Sequence, residues 1–294
     1  MEYQHFFDAV TNTLSYVVWD PHTADAVALD PVLDYDPAAS RVSTRPLEPM
    51  WAFVRARGLT LRGILETHCH ADHLTGAQAL RAWSGAPVCI GSAVTEVQAR
   101  FRALYDLGDS LAADGSQFDA LLADGQVAPF GSVTAEVLAT PGHTPACVSY
   151  RIADLCFTGD ALFIEDYGTG RCDFPGGDEA TLYRSIHDRL YQLPDETRLL
   201  PAHDYLPDGR ALRWESTVAA QKSKNIHLRG DTTREAFVAL RRRRDAGLSA
   251  PRLLHPSLQV NLRAGHLPPQ HQNGRRYFQV PLEVAADAAW DGVC

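Results

Sequence analysis

The chain has 294 residues, a formal net charge of -9, 45% hydrophobic residues and 21% charged residues. That length can bury a sizeable core in one large or two ordinary domains, and the composition is globular rather than disordered. The acidic balance argues against nucleic acid or an anionic membrane as partner, and no apolar run approaches the roughly 20 residues that span a bilayer. Met1 to Thr13 carries Glu2 and Asp8 without a basic cluster, unlike a signal or transit peptide, so the expected location is the cytoplasm. Cys69, Cys89, Cys147, Cys156, Cys172 and Cys294 form no CxxC pair, which fits reduced thiols.

Leu14 to Trp19 and Ala24 to Leu29 favour strands around the turn Asp20-Pro21-His22-Thr23, predicting an opening hairpin. Leu33 to Arg45 is polar and turn-rich and reads as a surface loop, and Leu47 to Arg57 reads as a helix stopped by Gly58. The apolar run Leu61 to Leu65 reads as a buried strand, Gly76 to Trp83 as a helix, Val88 to Ile90 as a strand and Ala93 to Leu107 as an amphipathic helix. This alternation predicts an α/β layered fold. Two hairpins follow, Val127 to Phe130 with Val133 to Ala139, and Val148 to Ile152 with Leu155 to Thr158. Asp178 to Leu193 has helical spacing with Asp178 as N-cap, and Thr197 to Leu200 reads as a strand. Beyond Leu206, helices are expected at Trp214 to Ser223 and Thr233 to Gly247. The run Arg241-Arg242-Arg243-Arg244 would point round all sides of a helix, as a solvated face. No repeat or low-complexity linker is visible, so this region is expected to pack on the rest of the chain.

Chemistry concentrates in Thr67-His68-Cys69-His70-Ala71-Asp72-His73, directly after a predicted strand. Three imidazoles and a carboxylate within six residues are suited to zinc or iron, and a strand-end loop can turn alternate side chains toward one ion. Three more strands end in turns that deliver His143, Asp160 and His203. Cys69 and Cys172 sit inside these motifs and are candidates to approach the pocket.

In this order, HxHxDH, Pro-Gly-His-Thr at His143, Thr-Gly-Asp at Asp160 and Pro-Ala-His-Asp-Tyr at His203 resemble the metallo-β-lactamase superfamily. The resemblance covers about Leu14 to Tyr205. It implies an αββα sandwich with the metal at one edge of the two sheets, in a single domain spanning 1–294 whose helical C-terminal region, about 206–294, packs on the core. The ligand types leave two branches open. A two-metal hydrolase of glyoxalase II type would use His68, His70, His143 and Asp160 at one ion, and Asp72, His73, His203 and a bridging Asp160 at the other.

Further motifs resemble the persulfide (sulfur) dioxygenases: Phe157-Thr-Gly-Asp-Ala-Leu-Phe, Gly168-Thr-Gly-Arg-Cys-Asp-Phe, Thr181-Leu-Tyr-Arg-Ser-Ile-His and Val260-Asn-Leu-Arg-Ala-Gly. Ala146 stands where a glycine is usual in related sequences. This second resemblance implies one Fe(II) per chain held by His68, His143 and Asp160, a facial triad with open positions. It implies oxidation of glutathione persulfide by O2 and water to sulfite and glutathione, in a homodimer. His70, Asp72, His73 and His203 would then orient ligands and water by hydrogen bonds. Arg171 and Tyr205 match positions that contact glutathione in the related hydrolases, and Arg263 is a third candidate. Asp173 would either hold Arg171 or meet substrate, and His187 is expected to be structural.

Overall fold

The computed structural model describes residues 1–283. In chain order its strands are β1 (Glu2–Asp8), β2 (Thr13–Trp19), β3 (Asp25–Leu29), β4 (Val32–Asp36), β5 (Arg41–Ser43), β6 (Thr60–Glu66), β7 (Leu74–Thr75), β8 (Val88–Gly91), β9 (Ala120–Leu122), β10 (Val127–Phe130), β11 (Val133–Ala139), β12 (Val148–Ile152), β13 (Leu155–Gly159), β14 (Arg198–Pro201) and β15 (Ser216–Thr217). The helices are α1 (Leu47–Ala56), α2 (Ala77–Ser84), α3 (Val94–Leu104), α4 (Glu179–His187), α5 (Val218–Lys224), α6 (Arg234–Asp245) and α7 (Leu254–Asn261).

One six-stranded sheet runs β1-β2-β3-β6-β8-β9 and a second runs β10-β11-β12-β13-β14-β15, with a small β5-β4-β7 sheet beside them. Leu14, Tyr16, Val18, Val27 and Leu29 of the first sheet pack against Val133, Val137, Tyr150, Ile152 and Phe157 of the second. This inter-sheet layer excludes water from both inner faces. The outer face of the first sheet is covered from α1, α2, α3 and α7, through Met50, Val54, Leu80, Val97, Phe101 and Leu258. Leu182, Ile186, Val218 and Phe237 of α4, α5 and α6 cover the outer face of the second. The layers are therefore helix, sheet, sheet, helix, as expected. Among the described residues no helix is long and apolar enough to cross a membrane.

Strand direction places the site. β3, β6, β8 and β9 are parallel neighbours, and so are β13 and β14. Pairing of Leu29 with Leu65 sets Asp30 beside the loop after β6, and pairing of Gly159 with Pro201 sets Asp160 near His203. Gly159 has φ +52°, and a Cβ there would lie 2.8 Å from Thr67 Oγ1, so the ends of the two sheets meet where only glycine fits.

Several elements differ from the sequence reading. The segment read as a loop, Leu33 to Arg45, contains β4 and β5, and β1, β9 and α7 are additional. The helix expected to reach Leu193 ends at His187, and a short 3-10 turn follows at Leu190–Gln192. β15 occupies Ser216–Thr217, where a helix was expected from Trp214, and α5 starts only at Val218. Asp178 is the N-cap of α4 as expected, accepting from the Thr181 backbone N–H at 2.6 Å. Cys294 and the end of the expected C-terminal region lie outside the described residues. The other five cysteines are unpaired and buried.

α7 is fastened to the HxHxDH loop by one buried side chain. Asn261 Nδ2 donates to the carbonyls of His70 and His73, each at 2.8 Å, and its Oδ1 accepts from Thr75 N at 2.8 Å. Asn261→Ala removes all three bonds and leaves buried backbone groups unpaired, a loss of about 3 kcal/mol. Urea denaturation of chelator-treated protein should show a lowered midpoint. An unchanged midpoint would mean that this junction contributes nothing to folding.

Candidate metal centre

Seven side chains from four strand ends converge. Ligand atoms of His68, His143 and Asp160 all lie within 4.8 Å of one another, as do those of His70, Asp72, His73 and His203. Asp160 faces both groups. Its Oδ2 lies 3.9 Å from His68 Nε2 and 3.7 Å from His143 Nε2, while its Oδ1 lies 3.4 Å from His203 Nε2. His203 Nε2 is also 3.3 Å from Asp72 Oδ2.

Local hydrogen bonds aim the rings. Thr67 N and Oγ1 donate to the two oxygens of Asp30 at 2.7 and 2.8 Å, leaving Thr67 Oγ1 to accept from His68 Nδ1 at 3.0 Å. His143 Nδ1 donates to the Arg171 carbonyl at 2.7 Å, and His203 Nδ1 to the Asn12 carbonyl at 3.2 Å. With Nδ1 carrying the proton, the Nε2 lone pair of each ring is turned toward the carboxylates. Loop closeness helps: a Cβ at Gly170 would fall 1.9 Å from the Asp160 carbonyl. The turn at Gly142, φ +139°, leaves no room for a Cβ against Leu182 of α4.

His70 does not join His68 and His143. Its Nε2 lies 3.0 Å from Asp30 Oδ1 and 3.8 Å from Glu66 Oε2, and neither ring nitrogen makes a well-directed hydrogen bond. Burial raises the pKa of Asp30 despite the opposing effects of His68 and Thr67. Burial and then the Asp30 charge hold Glu66 well above the usual carboxylate range. Thr75 Oγ1 donates to Glu66.

Whether the residues fit a metal can be judged from atoms left without partners. His68 Nε2, His73 Nε2, His203 Nε2, Asp160 Oδ1 and both nitrogens of His70 are buried with no hydrogen bond among the described residues. Such groups cost about 1 to 3 kcal/mol each when unpaired, so their convergence is what a cation would compensate. Imidazole nitrogens with carboxylate oxygens suit zinc or iron.

A cavity of about 330 Å³ opens on this cluster, lined by Asp72, His143, Asp160, Arg171 and Tyr205 from the sequence reading. Arg171 is already engaged: Nε and Nη2 donate to Asp173 at 2.6 Å each, and Nη1 donates to the Ser249 carbonyl at 2.8 Å. Asp173 therefore holds the arginine. Arg263 is not brought to the cavity. It is buried just past the end of α7, donating to the Gln259 carbonyl and to Ser110 Oγ at 3.0 Å each.

Cys69 and Cys172 are buried and do not line the cavity, and burial pushes both thiols up. His187 Nδ1 donates to Asp188 Oδ1 at 2.9 Å and its ring stacks on Tyr183, in keeping with a structural residue. Ala146 is buried, and its N–H donates to Thr144 Oγ1 at 3.2 Å, so the turn closes without glycine.

The sequence reading missed Tyr167, His227, Arg244 and Arg252 of the cavity wall. It also missed Asp204, the buried anchor beside His203, which accepts two bonds from Arg210 and one from Arg213 N. Arg241 corrects the expectation of a solvated face. It is 2% exposed, ion-paired to Asp245 one turn on, and donates to the Thr169 carbonyl. The Asp at i+4 was the available signal.

The chain belongs to the metallo-beta-lactamase superfamily, whose pattern matches residues 9–203. It is 45% identical to a "probable metallo-hydrolase" of Burkholderia pseudomallei, over 97% of this chain and 100% of that protein. It is 33% identical to the human mitochondrial persulfide dioxygenase ETHE1, over 89% of this chain and 88% of that one. The crystal structure of ETHE1 from Myxococcus xanthus aligns with a TM-score of 0.72 and 30% identity, covering 90% of this chain and 100% of that one.

His227 generates a pH prediction. Its Nδ1 accepts from Thr169 N at 3.0 Å, and burial together with the charges of Arg241 and Arg244 lowers its pKa from 6.5 to about 3. The folded chain keeps this ring neutral while the unfolded chain takes up a proton below 6.5, so stability falls as pH drops from about 6.5 toward 3. Between about pH 7.5 and 5.5 the wild type should lose on the order of 1 kcal/mol more than His227→Gln, measured by urea denaturation. Parallel acid sensitivity in the two proteins would refute the assignment.

Proposed function

We propose that this protein is a mononuclear Fe(II) persulfide dioxygenase that converts glutathione persulfide, O2 and water to sulfite and glutathione. The observation that carries the proposal is the division of the imidazoles. His68, His143 and Asp160 Oδ2 form a compact group of two histidines and one carboxylate, while His70 is turned to Asp30 and Glu66. That grouping supports a facial triad over a four-ligand first site. The persulfide dioxygenase relatives and the sequence motifs support the same branch. The relative named a metallo-hydrolase supports the alternative, a glyoxalase II-like hydroxyacylglutathione hydrolase, and the compact second group at His70, Asp72, His73 and His203 is compatible with it.

Iron, when bound, would supply the redox activation of O2 that zinc cannot. The chain's own residues do the rest. Thr67 and the Arg171 carbonyl hold His68 and His143 in the tautomer that presents Nε2. His203 Nε2 lies 3.4 Å from the second oxygen of Asp160 and 3.3 Å from Asp72 Oδ2, so both residues stand beside the triad, where they would orient bound water. Phe163 packs edge-on against Tyr205, which stacks on Tyr167, making an aromatic wall that excludes bulk water from one side of the cavity. In the net reaction the S–S bond breaks, the outer sulfur is oxidised to sulfite as O2 is reduced, and the inner sulfur leaves as the thiol of glutathione.

Protein prepared without oxygen should hold about one iron per chain and consume O2 with glutathione persulfide, releasing sulfite. Asp160→Ala should lose the iron. Asp72→Asn should keep it and turn over roughly 10- to 100-fold more slowly. Zinc at about two per chain, with cleavage of S-lactoylglutathione and no O2 uptake, would overturn the proposal in favour of the hydrolase.

A further inference from the structure

Away from the metal ligands, Arg210 is used to its limit: all five of its guanidinium N–H groups donate inside the protein. Nε and Nη2 reach Asp166 at 2.5 and 2.8 Å, Nη1 and Nη2 reach Asp204 at 2.7 and 2.8 Å, and the other Nη1 donor meets the Ala211 carbonyl at 2.9 Å. Asp166 lies on the segment after β13 and Asp204 on the segment after β14. One planar cation thus bridges the two segments that carry Asp160 and His203. Arg213 adds a second strut, its backbone N–H donating to Asp204 at 2.7 Å and its Nη2 to Glu165 at 2.5 Å.

Each bridged carboxylate immediately precedes a tyrosine of the cavity wall. Tyr167 follows Asp166 and Tyr205 follows Asp204, and their rings stack with centroids 4.5 Å apart at 26°. Tyr205 also stacks on His203, and Phe163 meets both tyrosines edge-on. Between Asp204 and Arg210 two non-glycine residues, Leu206 with φ +49° and Asp208 with φ +55°, occupy the left-handed region, a conformation that persists only where its surroundings enforce it. The Asp204 side chain is fully buried, so its charge needs the donors that Arg210 brings.

We propose that Arg210 is a positioning residue of the metal cavity: through Asp166 and Asp204 it sets the Tyr167–Tyr205 stack and so the width of the cavity beside the metal. This deepens the function proposed above and rests on that cavity being where glutathione persulfide reacts. Arg210 itself neither lines the cavity nor belongs to the metal-ligand groups. Releasing it frees the two segments to separate, which parts the stacked rings and admits water beside the reacting sulfur. Lysine cannot replace it, because an ammonium is a point charge with three donors and cannot present parallel pairs to two carboxylates.

The test is fluorine NMR of the full chain carrying 3-fluorotyrosine and loaded with zinc as a diamagnetic stand-in, with the wall resonances assigned through Tyr167→Phe and Tyr205→Phe. Arg210→Gln and Arg210→Lys should each move both wall resonances and leave that of Tyr105, packed over the first sheet, in place. In iron-loaded Arg210→Gln the metal content should match wild type, while kcat/KM for O2 uptake with glutathione persulfide falls roughly 10- to 100-fold. In a background of Tyr167→Ala with Tyr205→Ala, the same substitution should cost less than about twofold more, because the stack it serves is gone. Unmoved wall resonances, loss of metal, full rescue by Arg210→Lys, or an equal loss with and without the tyrosines would each overturn the proposal. Where Arg210→Gln fails to fold, Asp166→Asn, at the more exposed end of the bridge, carries the same NMR test. If the resonances move as expected and wild type takes up no O2, the bridge stands and the dioxygenase reading falls. If O2 uptake occurs and the resonances do not move, the bridge alone falls.

Discussion

The carboxylate of Asp160 is the group on which the site depends, because its two oxygens face different clusters of imidazoles. One oxygen lies toward His68 and His143 and the other toward His203. It can do so because β13 and β14 are parallel and end side by side, while Gly159 lets the chain turn against Thr67 of the opposite sheet. Asp30 performs the matching task in the first sheet. It follows β3, parallel to β6, and takes both hydrogen bonds from Thr67, so the loop that starts at His68 is tethered at the residue just before it. Two pairs of parallel strands, one in each sheet, thus bring their C-terminal ends to a common edge. The metal cluster lies at that edge because parallel strands are what gather chain ends there.

This dependence explains what was legible in the sequence. Asp160, His143 and His203 each follow a short β-favouring run, and the HxHxDH loop follows another, so the convergence could be read as four strand ends meeting at one metal site. The αββα layering was legible for the same reason. Residue types alone left the partition among the ligands open, and only the resemblance to the persulfide dioxygenases implied one. His70 is two residues from His68 and looks equivalent to it, yet in space it faces Asp30 and Glu66. Asp30 is 38 residues from His68 in the chain. Nothing local in the loop announces that a buried aspartate from a neighbouring strand will compete for one imidazole and leave the other free.

The same limit governs the arginines. Arg171 sits in a motif and was a natural candidate for substrate, but Asp173 two residues on takes both of its parallel donors. Arg263 has no motif partner in sequence, and it turned inward because α7 packs across the first sheet and brings Ser110 within reach. The four-arginine run divided in a way that helical geometry does explain. Arg242 and Arg243 point to solvent, Arg241 is drawn inward to pair with Asp245, and Arg244 reaches the cavity mouth. Counting charges on a helix gives a solvated face on average. It does not say which of four neighbours meets a pocket built by elements 70 or more residues away in the chain, as Asp160 and Tyr167 are from Arg244.

Strands β4, β5 and β9 and helix α7 were invisible for a further physical reason. β5 and β9 have three residues each, and β4 mixes buried Val32 and Leu33 with exposed Asp36, so no period emerges against the turn residues around them. α7 contains Pro256 and has buried polar side chains in its second half, including Gln259 and Asn261. Polarity there does not mark a solvent face. Asn261 is buried because three backbone groups of the metal loop need its amide, and those groups would otherwise stand unpaired beneath the imidazoles. A helix that buries hydrogen-bonding side chains alongside its apolar ones, Leu258 and Val260, has no clean amphipathic signature. Its pattern becomes intelligible only once the loop it serves is in place.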